Sequence, residues 1–283
     1  MRLRSLLFVP GDRPERFAKA AASGADAIIL DLEDSVSLAN KEAARHAVAD
    51  YLSGEREVVT LVRVNPLDGH MTAADVAAVI GARPDAIMLA KAEGAPSVQQ
   101  LDTIMRSETT DDASLPAILP IATETPAAIF TLGSYREVEG RLLGLTWGAE
   151  DLPAAIGATT SRQDDGSYTS PYEVARALTL FAAHGAGVAA IDTVFPAIKD
   201  ETGLAAYAAR ARRDGFTGMM AIHPSQVEPI NAAFTPSADE AARAQAIVDA
   251  FAANPGAGVL QVNGKMVDAP HLKQARHILS LAD

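Results

Sequence analysis

The sequence predicts a single (β/α)₈ barrel. Short apolar runs recur about eight times, helix-like stretches lie between them, and 283 residues suit one barrel domain of about 250 residues plus a short addition. The runs cover residues 5–9, 27–32, 58–64, 86–90, 117–121, 142–147, 189–195 and 219–222. They are near-continuous in apolar residues and lack polar alternation, the pattern of parallel strands covered on both faces. Between them, residues 13–23, 38–52, 72–81, 97–106, 172–184, 203–213 and 226–234 carry Ala, Leu and charged residues at helical spacing. Strand and helix alternating this often favour a closed barrel over an open sheet.

Two regions break the alternation. GATTSRQDDGSYTS, residues 157–170, is a polar connection after the sixth strand, readable either as a functional lid or as an ordinary surface loop. Past the eighth unit come a helix at 238–253, a Gly/Pro turn, an apolar run at 259–262 and a last helix from Pro270. The predicted division is therefore a barrel over residues 1–235 and a C-terminal extension over 236–283, packed on the barrel or on a neighbouring subunit.

Composition narrows the function. A net charge of -12 argues against nucleic acid or an anionic membrane as the main partner, although a local basic pocket for a small anion remains open. With no cysteine there is no disulfide framework, thiolate metal site or nucleophilic thiol. The chain runs from Met1 into a strand-like stretch too short for a signal h-region, and it has no long uncharged apolar run. A soluble, cytoplasmic protein is expected.

Active sites of such barrels lie at the C-terminal ends of the strands. Here those ends carry Asp12 and Arg13, then Asp31, Glu33 and Asp34, then Arg63 and Asn65, Lys91, Glu124, Glu150 and Asp151, and finally His223. Glu124 and Asp151 end neighbouring strands five and six, close enough to reach one ion. Mg²⁺ suits them, because it prefers oxygen and commonly takes one or two protein carboxylates plus water and substrate, whereas zinc would seek Cys or His. Equally, each could cap the helix that follows it. Arg63, ending a buried strand, must face a carboxylate, an anionic ligand or both. Crowding of Asp31, Glu33 and Asp34 can raise one of their pKa values and so supply a general acid or base; the alternative is that the group simply balances Arg63 and Lys91. Lys91 stands where a lysine could form a Schiff base, a weaker option than the metal route. Arg13, Arg16 and Lys19 share helical spacing and suit phosphate, or form a solvated basic face. His223, before a proline, is as well explained by a structural role as by a catalytic one.

Six ordered stretches carry a resemblance across nearly the whole chain: RSLLFVPGDRPERFAKAAASGADAIILDLEDSV, LVRVNP, IATETPAAI, LTWGAEDL, AIHPSQV and GKMVDAPHLKQARHIL. Together they resemble the citrate lyase β-subunit-like proteins of the HpcH/HpaI aldolase superfamily. The resemblance implies a barrel, usually a homotrimer or dimer of trimers, that uses Mg²⁺ to cleave or condense CoA thioesters such as malyl-CoA, citramalyl-CoA and citryl-CoA. It implies that Glu124 and Asp151 hold the metal and that Arg63 binds substrate and stabilises the enolate. Phe8, Val9, Arg13, Lys19, Ile222 and His223 match positions that contact substrate or CoA. Asp268 matches an acid that malyl-CoA lyases insert into a neighbouring subunit's site; otherwise it reads as a helix cap before Pro270. The implied chemistry is a retro-Claisen or retro-aldol cleavage, with a carboxylate of the Glu33/Asp34 group taking the hydroxyl proton and Asp268 protonating the enolate carbon. A subunit acting on an acyl-carrier-bound citryl group, or a malyl-CoA thioesterase or malate-synthase-like enzyme, are the competing readings.

Overall fold

The computed structural model describes residues 2–109 and 115–282. Eight parallel strands form one sheet: β1 (Ser5–Pro10), β2 (Ala27–Asp31), β3 (Val59–Val64), β4 (Ala86–Leu89), β5 (Ala117–Pro120), β6 (Gly144–Thr146), β7 (Ala189–Asp192) and β8 (Gly218–Ala221). The sheet runs β5-β4-β3-β2-β1-β8-β7-β6, and β5 meets β6 through parallel bridges Ile118–Leu142 and Ile121–Thr146. The ring thereby closes as a (β/α)₈ barrel, as the alternation predicted.

Side chains alternate across each strand, so every strand feeds two cores. Leu6, Ala27, Ile29, Leu61, Ala86, Met88, Leu119, Ile191 and Met220 fill the barrel interior. Their neighbours Leu7, Val9, Ile28, Leu30, Val62, Ile87, Ile118 and Ala190 belong to the larger layer against the helices. Burial on both faces is why the strands lack polar alternation.

The outer layer comprises α1 (Phe17–Ala21), α2 (Lys41–Leu52), α3 (Thr72–Val79), α4 (Ala95–Ser107), α5 (Pro126–Thr131), α6 (Asp151–Ile156), α7 (Ser170–Ala186), α8 (Glu201–Asp214) and α9 (Val227–Phe234). Sequence periodicity missed α5, the 3-10 run Leu132–Arg141 behind it, and α6, because each helix has only six residues and shows less than two turns of pattern. The first predicted helix also divides, into a 3-10 turn at Pro14–Arg16 and the short α1. Arg13 therefore stands before the turn, and the predicted row of three basic residues is split between elements.

The extension forms α10 (Ala238–Ala253), a hairpin of β9 (Val259–Val262) and β10 (Lys265–Asp268), and α11 (Ala269–Ala282). Ser237 and Glu240 close a reciprocal capping box on α10. The helices pack on each other, and the end of α11 returns to the N-terminal side of the barrel, where Arg2 donates to the Leu281 carbonyl at 3.0 Å. Among the described residues no helix is long and apolar enough to cross a membrane.

Two glycines mark close approaches. Gly11 donates its amide to the Asp31 carbonyl at 2.8 Å, and a Cβ there would lie 2.5 Å from that oxygen. At Gly218 a Cβ would overlap the Leu3 carbonyl oxygen, where the chain entering β1 crosses the start of β8. Gly218→Ala is expected to cost about 2 kcal/mol, read as a lower urea midpoint with an unchanged m-value.

Candidate active site

Asp31 and Arg63 are register partners on β2 and β3, and both continue the inward-facing alternation beyond the apolar interior. The Arg63 Nε and one terminal nitrogen each donate at 2.7 Å to the two Asp31 oxygens, and the other terminal nitrogen lies 2.9 Å from Glu33 Oε2. The guanidinium sits 4.9 Å from the centre of the Phe8 ring. Three of its five N–H groups are thus committed, which leaves one on each terminal nitrogen for an anion. The carboxylate expected opposite Arg63 is thus supplied twice, by Asp31 and by Glu33.

Burial alone would raise the Asp31 pKa, but hydrogen bonds and charge from Arg63, with help from Ser35 and the Glu33 amide, hold it below its ordinary value. The crowded β2 end therefore does not supply a raised carboxyl through Asp31. Glu33 is buried and held at both oxygens, by Arg63 and by Lys91 Nζ at 2.8 Å, while Asp34 is exposed. Beneath them, the buried Lys41 ammonium donates to the Leu32 and Glu33 carbonyls and to Asn65 Oδ1 at 2.7, 2.7 and 2.9 Å. Asn65 is fixed in turn by Asp75, which Arg45 holds at 2.7 Å.

The raised carboxyl is Glu124. It is buried, it accepts the Lys91 amide at 2.6 Å, and its pKa is pushed up to about 8, first by burial and then by the nearby charges of Asp151 and Glu33. Lys91 directs that amide from a left-handed backbone conformation, φ 51°, strained for a residue with a side chain. The Lys91 ammonium lies 2.8 Å from Glu33 and 3.3 Å from Asp151. Although burial opposes it, these carboxylates raise its pKa and keep it charged, so it does not offer the free amine that a Schiff base requires.

Neither carboxylate caps a helix through its side chain. Thr125 caps α5 by accepting from the Ala128 amide, and Asp151 lies inside the first turn of α6. Gly148 brings the β6 end against Glu124, where a Cβ would stand 2.8 Å from Glu124 Cγ.

These groups surround a cavity of about 330 Å³, lined in part by Phe8, Asp31, Asp34, Arg63, Glu124, Asp151 and Ile222. Asp31, Glu33, Asp34, Glu124, Glu150 and Asp151 bring six carboxylates to this mouth against the two cations Arg63 and Lys91. The donor set is oxygen only. Among the described residues no group of three or more His, Cys, Asp or Glu could hold a metal, so an ion here would draw on Glu124 and Asp151 and complete its shell from water and ligand. That is the habit of Mg²⁺ rather than of zinc.

Other predicted positions lie outside the lining. The Val9 side chain belongs to the outer core, leaving only its backbone for a ligand. Arg13 and Lys19 are exposed, with Arg13 3.9 Å from Asp12. His223 caps the 3-10 turn Pro224–Gln226, its Nδ1 accepting from the Ser225 amide at 3.2 Å. Asp268 contacts His271 on the first turn of α11 and is absent from the cavity of its own chain.

Sequence reading overlooked Lys41, Asp75, Asp192 and Arg176. Their signal was a charged residue in an apolar register: Lys41 shares the buried face of α2 with Ala44, Val48 and Leu52, and Arg176 that of α7 with Tyr172, Ala175 and Thr179.

The family model for HpcH/HpaI aldolase/citrate lyase matches residues 4–224. A citrate lyase subunit beta-like protein of Mycobacterium tuberculosis is 39% identical over 280 residues, covering 98% of this chain and 94% of that protein. A (3S)-malyl-CoA thioesterase of Cereibacter sphaeroides is 35% identical over 292 residues, covering 99% and 94%. Among solved structures, CitE from Mycobacterium tuberculosis in complex with magnesium, acetoacetate and coenzyme A superposes with a TM-score of 0.84 at 35% identity, covering 99% of this chain and 97% of that one.

The raised pKa of Glu124 makes a signed prediction. Between its ordinary value of 4.5 and about 8, the folded chain binds more protons at this group than the unfolded chain does. In EDTA, stability should therefore lose this contribution as pH rises through that window, and Glu124→Gln should flatten the loss. Thermal melting of both proteins across the window checks it; parallel curves would refute it.

Proposed function

Because this chain belongs to the HpcH/HpaI aldolase/citrate lyase family, we propose that it is a Mg²⁺-dependent carbon-carbon lyase acting on a short 3-hydroxyacyl-CoA of the malyl-CoA, citramalyl-CoA or citryl-CoA type. The observation that carries this reading is Glu124, a buried carboxylate short of positive charge, beside Asp151 and across one cavity from a guanidinium with two unused N–H groups.

Glu124 and Asp151 would hold the ion, which when bound supplies Lewis-acid polarisation of the substrate's oxygens. Arg63 offers its two remaining N–H groups where the thioester oxygen gains charge as the carbon-carbon bond breaks and an acyl-CoA enolate forms. Its fork is already aligned by Asp31 and Glu33, so little reorganisation is needed. Asp34, exposed at the rim, is better placed than the doubly paired Glu33 to take the hydroxyl proton. The cavity suits the acyl head alone. The rest of CoA would run along the rim past Ile222 and His223 towards Arg13 and Lys19, with the Val9 backbone beneath it. CoA in the CitE complex supports this class of ligand.

The C-terminal extension, residues 236–283, would serve as an arm in a cytoplasmic homotrimer or dimer of trimers and deliver Asp268 to a neighbouring chain. The thioesterase relative favours one second reading, in which condensation is followed by hydrolysis of the thioester. A β-type subunit acting on a carrier-bound citryl group is separated from both by whether the purified chain turns over free acyl-CoA.

With Mg²⁺ and each of the three thioesters, release of glyoxylate, pyruvate or oxaloacetate together with an acyl-CoA is the expected result, abolished by EDTA. Free CoA appearing from acetyl-CoA and glyoxylate would mark the thioesterase instead. Inactive Asp268→Asn and Arg63→Lys proteins, each expected to lose about 10²–10³-fold in kcat, should partly restore activity when dissociated and reassembled together. Activity no greater than that of either variant alone would reject delivery between chains.

A further inference from the structure

Behind the mouth lies a buried polar group that the proposed reaction does not use. Asp192 ends β7 with no exposed surface. Its Oδ2 accepts from Arg176 Nε and a terminal nitrogen at 3.0 and 2.8 Å, and Arg176 also reaches Asp214 at 2.7 Å. Its Oδ1 accepts from the Trp147 indole at 2.6 Å, the Thr193 amide at 2.8 Å and the Tyr207 hydroxyl at 3.1 Å. The ion pair with Arg176 already satisfies the charge. The indole N–H adds something else: a fixed orientation for the residue that ends the β6 run.

Trp147, the chain's one tryptophan, is fully buried and stands between two segments, the α6–α7 connection and the end of β6. Its ring meets Tyr168 edge to face at 5.0 Å, and Tyr168 is the buried residue of the polar connection between α6 and α7. Arg162 stacks over the same Tyr168 ring at 4.0 Å and donates to its hydroxyl at 2.6 Å, folding residues 162–168 back upon themselves. On its other side Trp147 is bonded to Gly148, whose backbone abuts Glu124 and whose amide donates to Thr123 Oγ1 at 3.2 Å. Asp151 follows three residues later. A shift of Trp147 that carries its main chain would therefore move Gly148 at a contact that has no room for even a Cβ.

We propose that Asp192 is a positioning residue: through the Trp147 indole it sets the spacing of Glu124 and Asp151 and ties residues 157–169 to that spacing. The connection and the carboxylate pair then move as one unit. This takes from the functional reading only that Glu124 and Asp151 are used together.

Two measurements on the full chain test it: hydrogen-deuterium exchange of the metal-free protein, and Mn²⁺ titration followed by electron paramagnetic resonance. Trp147→Phe keeps a ring against Tyr168 but removes the indole donor. It should speed exchange in residues 148–151 and 157–169 together and weaken Mn²⁺ binding about tenfold. Tyr207→Phe removes another donor to the same Asp192 oxygen, from α8, which has no covalent link to the carboxylate loop. It should leave the 148–151 exchange and the Mn²⁺ affinity close to those of the unaltered chain. Equal effects of the two variants would mean a merely structural cluster, and faster exchange confined to 157–169 would break the proposed coupling; either result overturns the inference. If Trp147→Phe fails to fold, Tyr168→Leu applies the test from the loop side, with the same pair of segments expected to loosen. Should the unaltered chain bind no Mn²⁺, the metal reading fails, while the exchange comparison still decides the coupling.

Discussion

Glu124 is held at the barrel mouth by constraints that have nothing to do with neutralising it. β5 delivers it beside β6, Gly148 lacks the Cβ that would displace it, and the Lys91 amide fixes one oxygen from a strained backbone. The cations of the mouth are committed elsewhere, Arg63 to Asp31 and Glu33, Lys91 to Glu33 and Asp151. A carboxylate buried in this company must hold a proton or acquire a cation. A divalent ion shared with Asp151 would relieve the burial penalty and the mutual repulsion together. Binding that favours the folded state in this way also stabilises it.

Such an arrangement needs a stiff foundation, because carboxylates free to move apart would simply relax. The foundation is polar on both sides. Under β2 and β3, Lys41, Asn65, Asp75 and Arg45 clamp the backbone carbonyls of Leu32 and Glu33, and so the groups that orient Arg63. Burial lowers the Lys41 pKa, while the surrounding carboxylates oppose that fall. Its three acceptors make a buried ammonium tolerable there. On the far side Asp192, Arg176 and Trp147 do the equivalent work for β6. Each network joins a strand end to the helix behind it, so the mouth inherits the rigidity of the outer layer.

The strands were legible in the sequence because burial on two faces leaves an uninterrupted apolar run, and seven of the eight end within one residue of the observed limit. The run at 189–195 continued past the strand because Thr193, Val194 and Phe195 are still sheltered, although hydrogen bonding ends at Asp192. Helices of six residues were invisible to a pattern that repeats every 3.6. Among site residues, Asp31, Arg63 and Glu124 announced themselves as charges closing apolar runs, and their pairing then followed from strand order. Lys41, Asp75 and Arg176 are charged residues inside helices, where a polar member of an apolar stripe is hard to separate from the edge of that stripe. That Glu124 does not cap α5 was also closed to sequence, since it turned on Thr125 being the side chain that accepts from the Ala128 amide.

Asp268 shows where one chain runs out. It ends β10 with His271 at its side, and that contact holds its pKa below the ordinary carboxyl value. A carboxyl in that condition is a poor proton donor to carbon. The hairpin bearing it packs on α10 and α11, and α11 leads back to the N-terminal side of the barrel, away from its own mouth. Meanwhile Val259 and Met266 on the same hairpin remain exposed. The acid role implied for Asp268 thus requires it to exchange His271 for a drier setting, in which desolvation and neighbouring carboxylates would raise its pKa. Under the proposed arm, the mouth of another copy would be that setting. With an ion balancing Glu124 and Asp151, burial away from water would be what keeps the incoming acid protonated.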